Sequence, residues 1–157
     1  MDILIVEDSA TLRANMASVL RGMGHRIHLA ESGEKCLHLI ESCQDNPLYD
    51  LVLMDVEMPG LNGFETTRLV RETLSNHWIP IIFVTGVTDE TSFEKGIEAG
   101  GDDYLAKPVS NMVLKAKIKA MERIADMQRE MARLNRELKA TSEKDGMTQL
   151  LNRRAFN

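Results

Sequence analysis

The stretch LVLMDVEMPG, Leu51 to Gly60, is where the fold of this chain can be read. Four apolar residues in succession show neither a helical stripe nor a polar alternation. A run of that kind suits a strand buried on both faces of a parallel sheet. It ends on a carboxylate, Asp55, and the chain then turns at Met58-Pro59-Gly60. An aspartate at a strand end is commonly a turn or cap residue, so its meaning depends on what ends the other strands.

Working outward, ILIV (3–6), IIFV (81–84) and the weaker DYLA (103–106) read as further buried strands. HRIHLA (25–30) is more polar and reads as a fifth strand nearer an edge. Helical patterns cover 9–21, 33–43, 63–74 and 89–99. Leu12, Met16, Val19 and Leu20 share one face of the first helix, and Cys36, Leu37 and Ile40 one face of the second. Ser9 is placed to cap the first helix and Asp89 the fourth, while Gly22, Gly24, Gly100 and Gly101 punctuate helix ends. Strand and helix alternating five times predict an α/β domain with right-handed crossovers.

The 157 residues suit one domain with an extension. Aromatic residues make up only 4%, so aliphatic side chains must fill the core. No apolar run reaches the ~18 residues of a membrane span. The start, MDILIVEDSA, lacks the basic region and cleavage site of a signal peptide, so a cytoplasmic protein is expected. Cys36 and Cys43, read as lying in one helix, are ~10 Å apart along its axis at ~1.5 Å per residue, too far for a disulfide. His25, His28, His38 and His77 show no metal-ligand spacing.

Charge divides the chain. Residues 1–114 carry 8 Lys/Arg against 18 Asp/Glu, whereas residues 115–144 carry 9 against 5. The acidic part is no nucleic-acid footprint. In the basic part the cations interleave with Glu122, Asp126, Glu130 and Glu137, and no helix-turn-helix pattern follows, so a DNA-binding segment is the weaker alternative.

After Pro108 the character changes. From Val109 to about Ser142 there is neither Gly nor Pro. Leu114, Ile118, Met121 and Ala125 form one stripe, fit to dock on the sheet. Ile124, Met127, Met131, Leu134, Leu138 and Thr141 form a second, at the alternating 3-4 spacing of a coiled-coil seam. A helix of ~34 residues is ~50 Å long at ~1.5 Å per residue, more than a domain with a radius of gyration of ~13 Å can cover. A homodimer through this helix is therefore expected.

The residues that follow the strands give Asp55 its context. After ILIV come Glu7 and Asp8, after LVLM comes Asp55, after IIFV comes Thr85, and after DYLA comes Lys107. In an open parallel sheet the ligand crevice lies beyond the carboxyl ends of the strands. Three carboxylates, a hydroxyl and a lysine would converge there. Three carboxylates repel one another unless a cation joins them. With no His or Cys among them the donor set is all oxygen, which favours Mg²⁺ and a phosphate partner. A carboxylate can itself attack phosphorus, and Asp55, on the central run, is the candidate nucleophile.

These residues together resemble the response-regulator receiver domain of two-component signalling. The likeness covers about residues 1–122 and rests on ILIVEDS, DLVLMDVEMPGLNGFE, PIIFVTG and GGDDYLAKPV. It implies a doubly wound five-stranded parallel sheet of order 2-1-3-4-5, a flavodoxin-like receiver with an extended C-terminal helix. It implies that Asp55 accepts a phosphoryl group from a sensor histidine kinase or phosphotransfer protein. Glu7, Asp8, Asp55 and the backbone carbonyl of Glu57 would serve Mg²⁺, Lys107 would contact the phosphoryl group, and Thr85 with Tyr104 would form the switch pair. It also implies a cis Lys107–Pro108 bond. The acidic pair here is Glu-Asp where Asp-Asp is commoner. An aspartate-nucleophile phosphatase of the haloacid-dehalogenase type would need a second aspartate at position 57, where Glu57 stands.

The last thirteen residues, DGMTQLLNRRAFN, resemble the opening of a diguanylate cyclase (GGDEF) domain. Asp145, Thr148, Leu150, Asn152, Arg153, Arg154 and Phe156 match its pattern, and Met147 and Gln149 depart from it. The Gly-Gly-Asp-Glu-Phe signature does not occur, so no cyclase activity is expected of these 157 residues. The expected organisation is a receiver at 1–122, a helical coiled-coil linker at 123–144 and the start of a GGDEF output domain at 145–157. Neither a membrane nor a nucleic acid is expected as partner.

Overall fold

The computed structural model describes residues 1–43, 49–75, 77–87 and 89–144. Five strands, β1 (Asp2–Val6), β2 (Arg26–Ala30), β3 (Leu51–Asp55), β4 (Ile81–Thr85) and β5 (Asp103–Ala106), pair in parallel in the order β2-β1-β3-β4-β5. Helices α1 (Ala10–Gly22), α2 (Gly33–Glu41), α3 (Gly63–Thr73) and α4 (Glu90–Ala99) join them, and α5 (Asn111–Lys144) follows β5.

The sequence pattern explains the order. All five residues of β3 and of β4 are buried, as continuous apolar runs require of inner strands. Strand β2, with exposed Arg26 and Leu29, forms an edge. Alternate residues face opposite ways. Leu4, Val6, Val52, Met54, Ile81 and Phe83 share one cluster with Cys36 and Ile40 of α2, Val70 of α3 and Leu74 just after it, and Ala99 of α4. Right-handed crossovers put α1 on the other face. There Met16, Ala17 and Leu20 are buried, with Leu12 and Val19 only half-buried. The start of α5 borders α1, and its Leu114, Ile118 and Met121 are buried, as is Ala125.

Side chains stop the helices where the sequence indicates. Ser9 accepts from Leu12 N–H and Asp89 from Ser92 N–H. Ser32 caps α2, and Asn62 and Glu65 form a reciprocal capping box on α3. One reading needs correcting. Helix α2 ends at Glu41, so Cys43 lies beyond it, with its thiol donating to Leu39 O; both cysteines are free.

The chain forms two compact units, Met1–Met121 and one beginning at Glu122. The first holds the sheet. In the second, Met127, Met131, Leu134 and Leu138 are exposed and Ile124 is half-buried. The side chain of Thr141 and the tail that resembles a GGDEF opening lie outside the described residues. Among the described residues no helix is long and apolar enough to cross a membrane.

Candidate functional site

The turn that ends LVLMDVEMPG keeps the sheet edge clear. Gly60 has φ +76°, a conformation that side chains with a Cβ rarely adopt, and Glu34 accepts from Leu61 N–H just after it. Gly63 then lets α3 start against the strand end. Its N–H donates to Val56 O at 2.8 Å, and a Cβ there would lie 2.8 Å from Val56 Cα. Nothing in the sequence reading singled out Gly63. The signal was present, since an Asn-Gly pair one turn past an apolar strand marks a close approach of helix and strand.

Parallel register brings the strand ends together. Val6 pairs with Met54 and Asp55 with Val84, so Glu7 and Asp8 emerge beside Asp55. Glu7, Asp8 and Asp55 each offer a carboxylate oxygen within 4.8 Å of the other two. Glu7 is fully buried and Asp55 is 1% exposed, whereas Asp8 is open to solvent. Lys107 reaches in from the end of β5. Its Nζ donates to Asp55 Oδ1 at 2.8 Å and lies 3.3 Å from Glu7 Oε1, without a hydrogen bond to the latter. The Lys107–Pro108 bond is cis.

Two buried oxygens, Glu7 Oε1 and Asp55 Oδ2, accept no hydrogen bond from the described residues. Buried carboxylate oxygens are ordinarily satisfied, so this pair points to a cation. An all-oxygen donor set of three converging carboxylates fits Mg²⁺ in chemistry.

The electrostatics agree. Burial, and then the neighbouring Asp55 and Asp8 carboxyls, push the Glu7 pKa up to about 8 against the pull of Lys107. At Asp8 burial opposes the shift, but hydrogen bonding to the Asp55 and Glu7 carboxyls, its own backbone and the charge of Lys107 outweigh it and hold its pKa low. Burial works against the Lys107 ammonium, yet Asp55 and Glu7 keep its pKa above the usual value. One proton thus sits on Glu7 where a cation would otherwise compensate the charge.

The other expected residues lie nearby in different ways. Thr85 is buried at the end of β4, and its Oγ1 accepts from Val87 N–H at 3.0 Å and donates to Val87 O. Tyr104 packs on the core cluster, and its hydroxyl donates to Ser92 O at 2.8 Å. Glu57 is exposed in the turn after β3. A clamp at the other end of the sheet had no sequence signal. Arg71 donates to Gly100 O, Ile79 O and Asp102, whose carboxylate also accepts from Ile81 N–H. It locks β4 to β5, the strands that carry Thr85 and Lys107.

The same fold recurs in known proteins. The chain is 39% identical over 121 residues to the transcriptional regulatory protein AfsQ1 of Streptomyces coelicolor, matching 77% of this chain. It spans about half of that relative, 51% of its length. It is 40% identical over 119 residues to protein PilH of Pseudomonas aeruginosa, covering 76% of this chain and 95% of PilH. Among solved structures, the receiver domain of the sensor histidine kinase PA1611 of P. aeruginosa has a TM-score of 0.68 at 30% identity, covering 80% of this chain and 97% of that one. That structure has a magnesium ion coordinated in its active-site cleft. A two-component response regulator from Clostridium difficile has a TM-score of 0.71 at 28% identity, covering 78% and 96%. The family model for the response regulator receiver domain matches residues 3–119, and the chain belongs to that family.

Proposed function

We propose that this chain is a phosphorylation-gated switch in which Asp55 accepts a phosphoryl group from a sensor histidine kinase or phosphotransfer protein. The observation that carries this reading is the Asp55 carboxylate itself. It is buried, its Oδ1 is held by Lys107, and its Oδ2 has no partner among the described residues. Attack of an Asp55 carboxylate oxygen on phosphorus forms an acyl phosphate and breaks the P–N bond of the donor phosphohistidine.

Glu7, Asp8 and Asp55, with the Glu57 carbonyl, hold Mg²⁺. The ion supplies charge compensation for phosphoryl oxygens when bound. Lys107 positions Asp55 and meets a phosphoryl oxygen with its ammonium. Thr85, packed in the same region as Tyr104, reads the modification: its hydroxyl turns from Val87 toward the phosphoryl group, and Gly86 and Val87 follow. Incubation with acetyl phosphate and Mg²⁺ should add the mass of one phosphoryl group to the wild type and not to Asp55→Asn. Equal labelling of both sinks the assignment.

The output belongs to the same proposal. The receiver occupies 1–122, residues 123–144 form a coiled-coil linker, and 145–157 open a GGDEF domain whose parent is a cytoplasmic diguanylate cyclase making cyclic di-GMP from GTP. Support comes from the exposed seam, with Met131 64% and Leu138 67% exposed on a helix too long for one domain, and from the tail's sequence. Two copies pair along Ile124, Met127, Met131, Leu134 and Leu138 and bring the outputs together. The name of AfsQ1 favours a transcriptional output instead, but its similarity is confined to a stretch of 121 residues. Cyclic di-GMP synthesis by the full reading frame decides between them.

A further inference from the structure

Helix α4 carries a glycine in its interior, Gly96. Glycine is the least favourable residue there apart from proline. Gly96 is buried, and a Cβ at this position would overlap the Tyr104 hydroxyl and stand 2.6 Å from its Cζ. The phenol therefore occupies the space that any other residue at position 96 would fill.

The surroundings fix the ring in that space. Its hydroxyl donates to Ser92 O at 2.8 Å and approaches Phe93 O at 3.2 Å, both in the first turn of α4. Phe93 stacks on it at 5.1 Å and 27°. On the inner side Phe83 lies 5.5 Å away and is itself met edge-on by Phe64. Four of the chain's seven aromatic residues thus form one row, with Tyr104 third in it. The Thr85 hydroxyl, by contrast, is engaged with Val87 and makes no hydrogen bond to Asp55 or Lys107 among the described residues.

We propose that Gly96 is a positioning residue for the switch: it seats Tyr104 inward before any phosphorylation, so that only the Thr85 hydroxyl is left to move. A ring preset in this way carries no information about the phosphoryl group. The signal then passes through the turn after β4, while the Tyr104–Phe93 surface stays the same in both states. The seating of Tyr104 is independent of the function proposed above; its constancy on activation rests on Asp55 being the acceptor.

The test uses the full chain labelled with 3-fluorotyrosine, with Tyr49→Phe identifying the Tyr104 resonance. Tyr104 is half-buried, so a soluble nitroxide should broaden that resonance only partly in the wild type, and to the same extent without additions and with beryllofluoride and Mg²⁺. In Gly96→Ala it should broaden severalfold more, because the ring is expelled. Thermal midpoints give a second readout. Gly96→Ala should lower the midpoint in the wild type and raise it in Tyr104→Ala, where the space is free and alanine favours the helix. A wild-type resonance that becomes protected only with beryllofluoride overturns the proposal. So does Gly96→Ala with an unchanged resonance, or with a raised midpoint in both backgrounds. Failure of the acceptor reading shows separately, as Gly86 and Val87 amide signals that beryllofluoride and Mg²⁺ do not move.

Discussion

Replacing Glu7 by glutamine should make the metal-free protein more stable near neutral pH, although Glu7 lies 3.3 Å from the Lys107 ammonium. The folded Glu7 carboxyl titrates at about 8, against 4.5 for an ordinary glutamate. Between those values the folded state keeps a proton that the unfolded state releases. The unfolded state binds fewer protons there, so stability falls as pH rises. It is fully present below the ordinary value and gone above the raised one. Each pH unit costs at most about 1.4 kcal/mol. Between about pH 5 and about pH 7.5 the loss is on the order of 3 kcal/mol, and for a receiver of this size roughly 10 °C in midpoint. The neutral amide of Glu7→Gln cannot lose a proton, so its stability should lack this decline. Urea unfolding of both proteins in EDTA, at several pH values across the window, reads the difference directly. The gap between variant and wild type should widen steadily with pH. A gap that stays constant, or a variant that loses ground as pH rises, refutes the assignment of the trapped proton to Glu7. Mg²⁺ at about ten times its Kd should add about 1.4 kcal/mol to the wild type at the upper pH, and much less to the variant.

Lys107→Met leaves Asp55 and Glu7 without their ammonium, and should cost about 1–2 kcal/mol in urea unfolding, discounted for the partial exposure of the lysine; it should also abolish labelling by acetyl phosphate. Arg71→Met strands the carbonyls of Gly100 and Ile79 and removes one of two donors to Asp102 Oδ2. A loss of about 2–3 kcal/mol is expected, and an unfolding midpoint equal to that of the wild type contradicts the clamp. Leu134→Glu puts a charge in the seam and should convert a dimer to a monomer in sedimentation velocity, with the thermal midpoint of the receiver unchanged. An unaltered sedimentation coefficient removes the seam as the dimer contact.

The parts of this molecule that were legible in its sequence are those governed by local pattern. Continuous apolar runs identified the buried strands, and Ser9 and Asp89 identified helix starts, because each depends on a few neighbouring residues. The convergence of Glu7, Asp8, Asp55 and Lys107 was legible for a different reason: parallel strands deliver the residue after each strand to one edge. What stayed hidden depends on partners distant in the chain. Arg71 serves Gly100 and Asp102, some thirty residues on, and no spacing announces it. Gly96 looks like a weak point in a helix until Tyr104 is seen lying across it. The apolar pattern predicts a helix that runs through Cys43, whereas the helix stops at Glu41. The proton on Glu7 was also invisible, since it follows from complete burial beside two other carboxyls.

The contrast between core and edge explains why a site of this kind depends on a cation. Inside the sheet every demand is met: Ile3 to Val6 and Leu51 to Met54 are wholly buried apolar residues. That rigid floor fixes three carboxyls around one ammonium. Full ionisation would leave two uncompensated negative charges at a site where Glu7 and Asp55 are buried. The metal-free chain lowers that charge with a proton on Glu7. Placing a dianionic phosphoryl group on Asp55 would restore and increase it, and Lys107 alone supplies a single positive charge. A divalent cation held by the three carboxyls would offset most of that charge and would favour the ionised form of Glu7. Cation requirement, a raised Glu7 and two unpartnered oxygens are therefore consequences of one arrangement, and a protein in which Glu7→Gln left both the pH profile and the Mg²⁺ response untouched would break all three together.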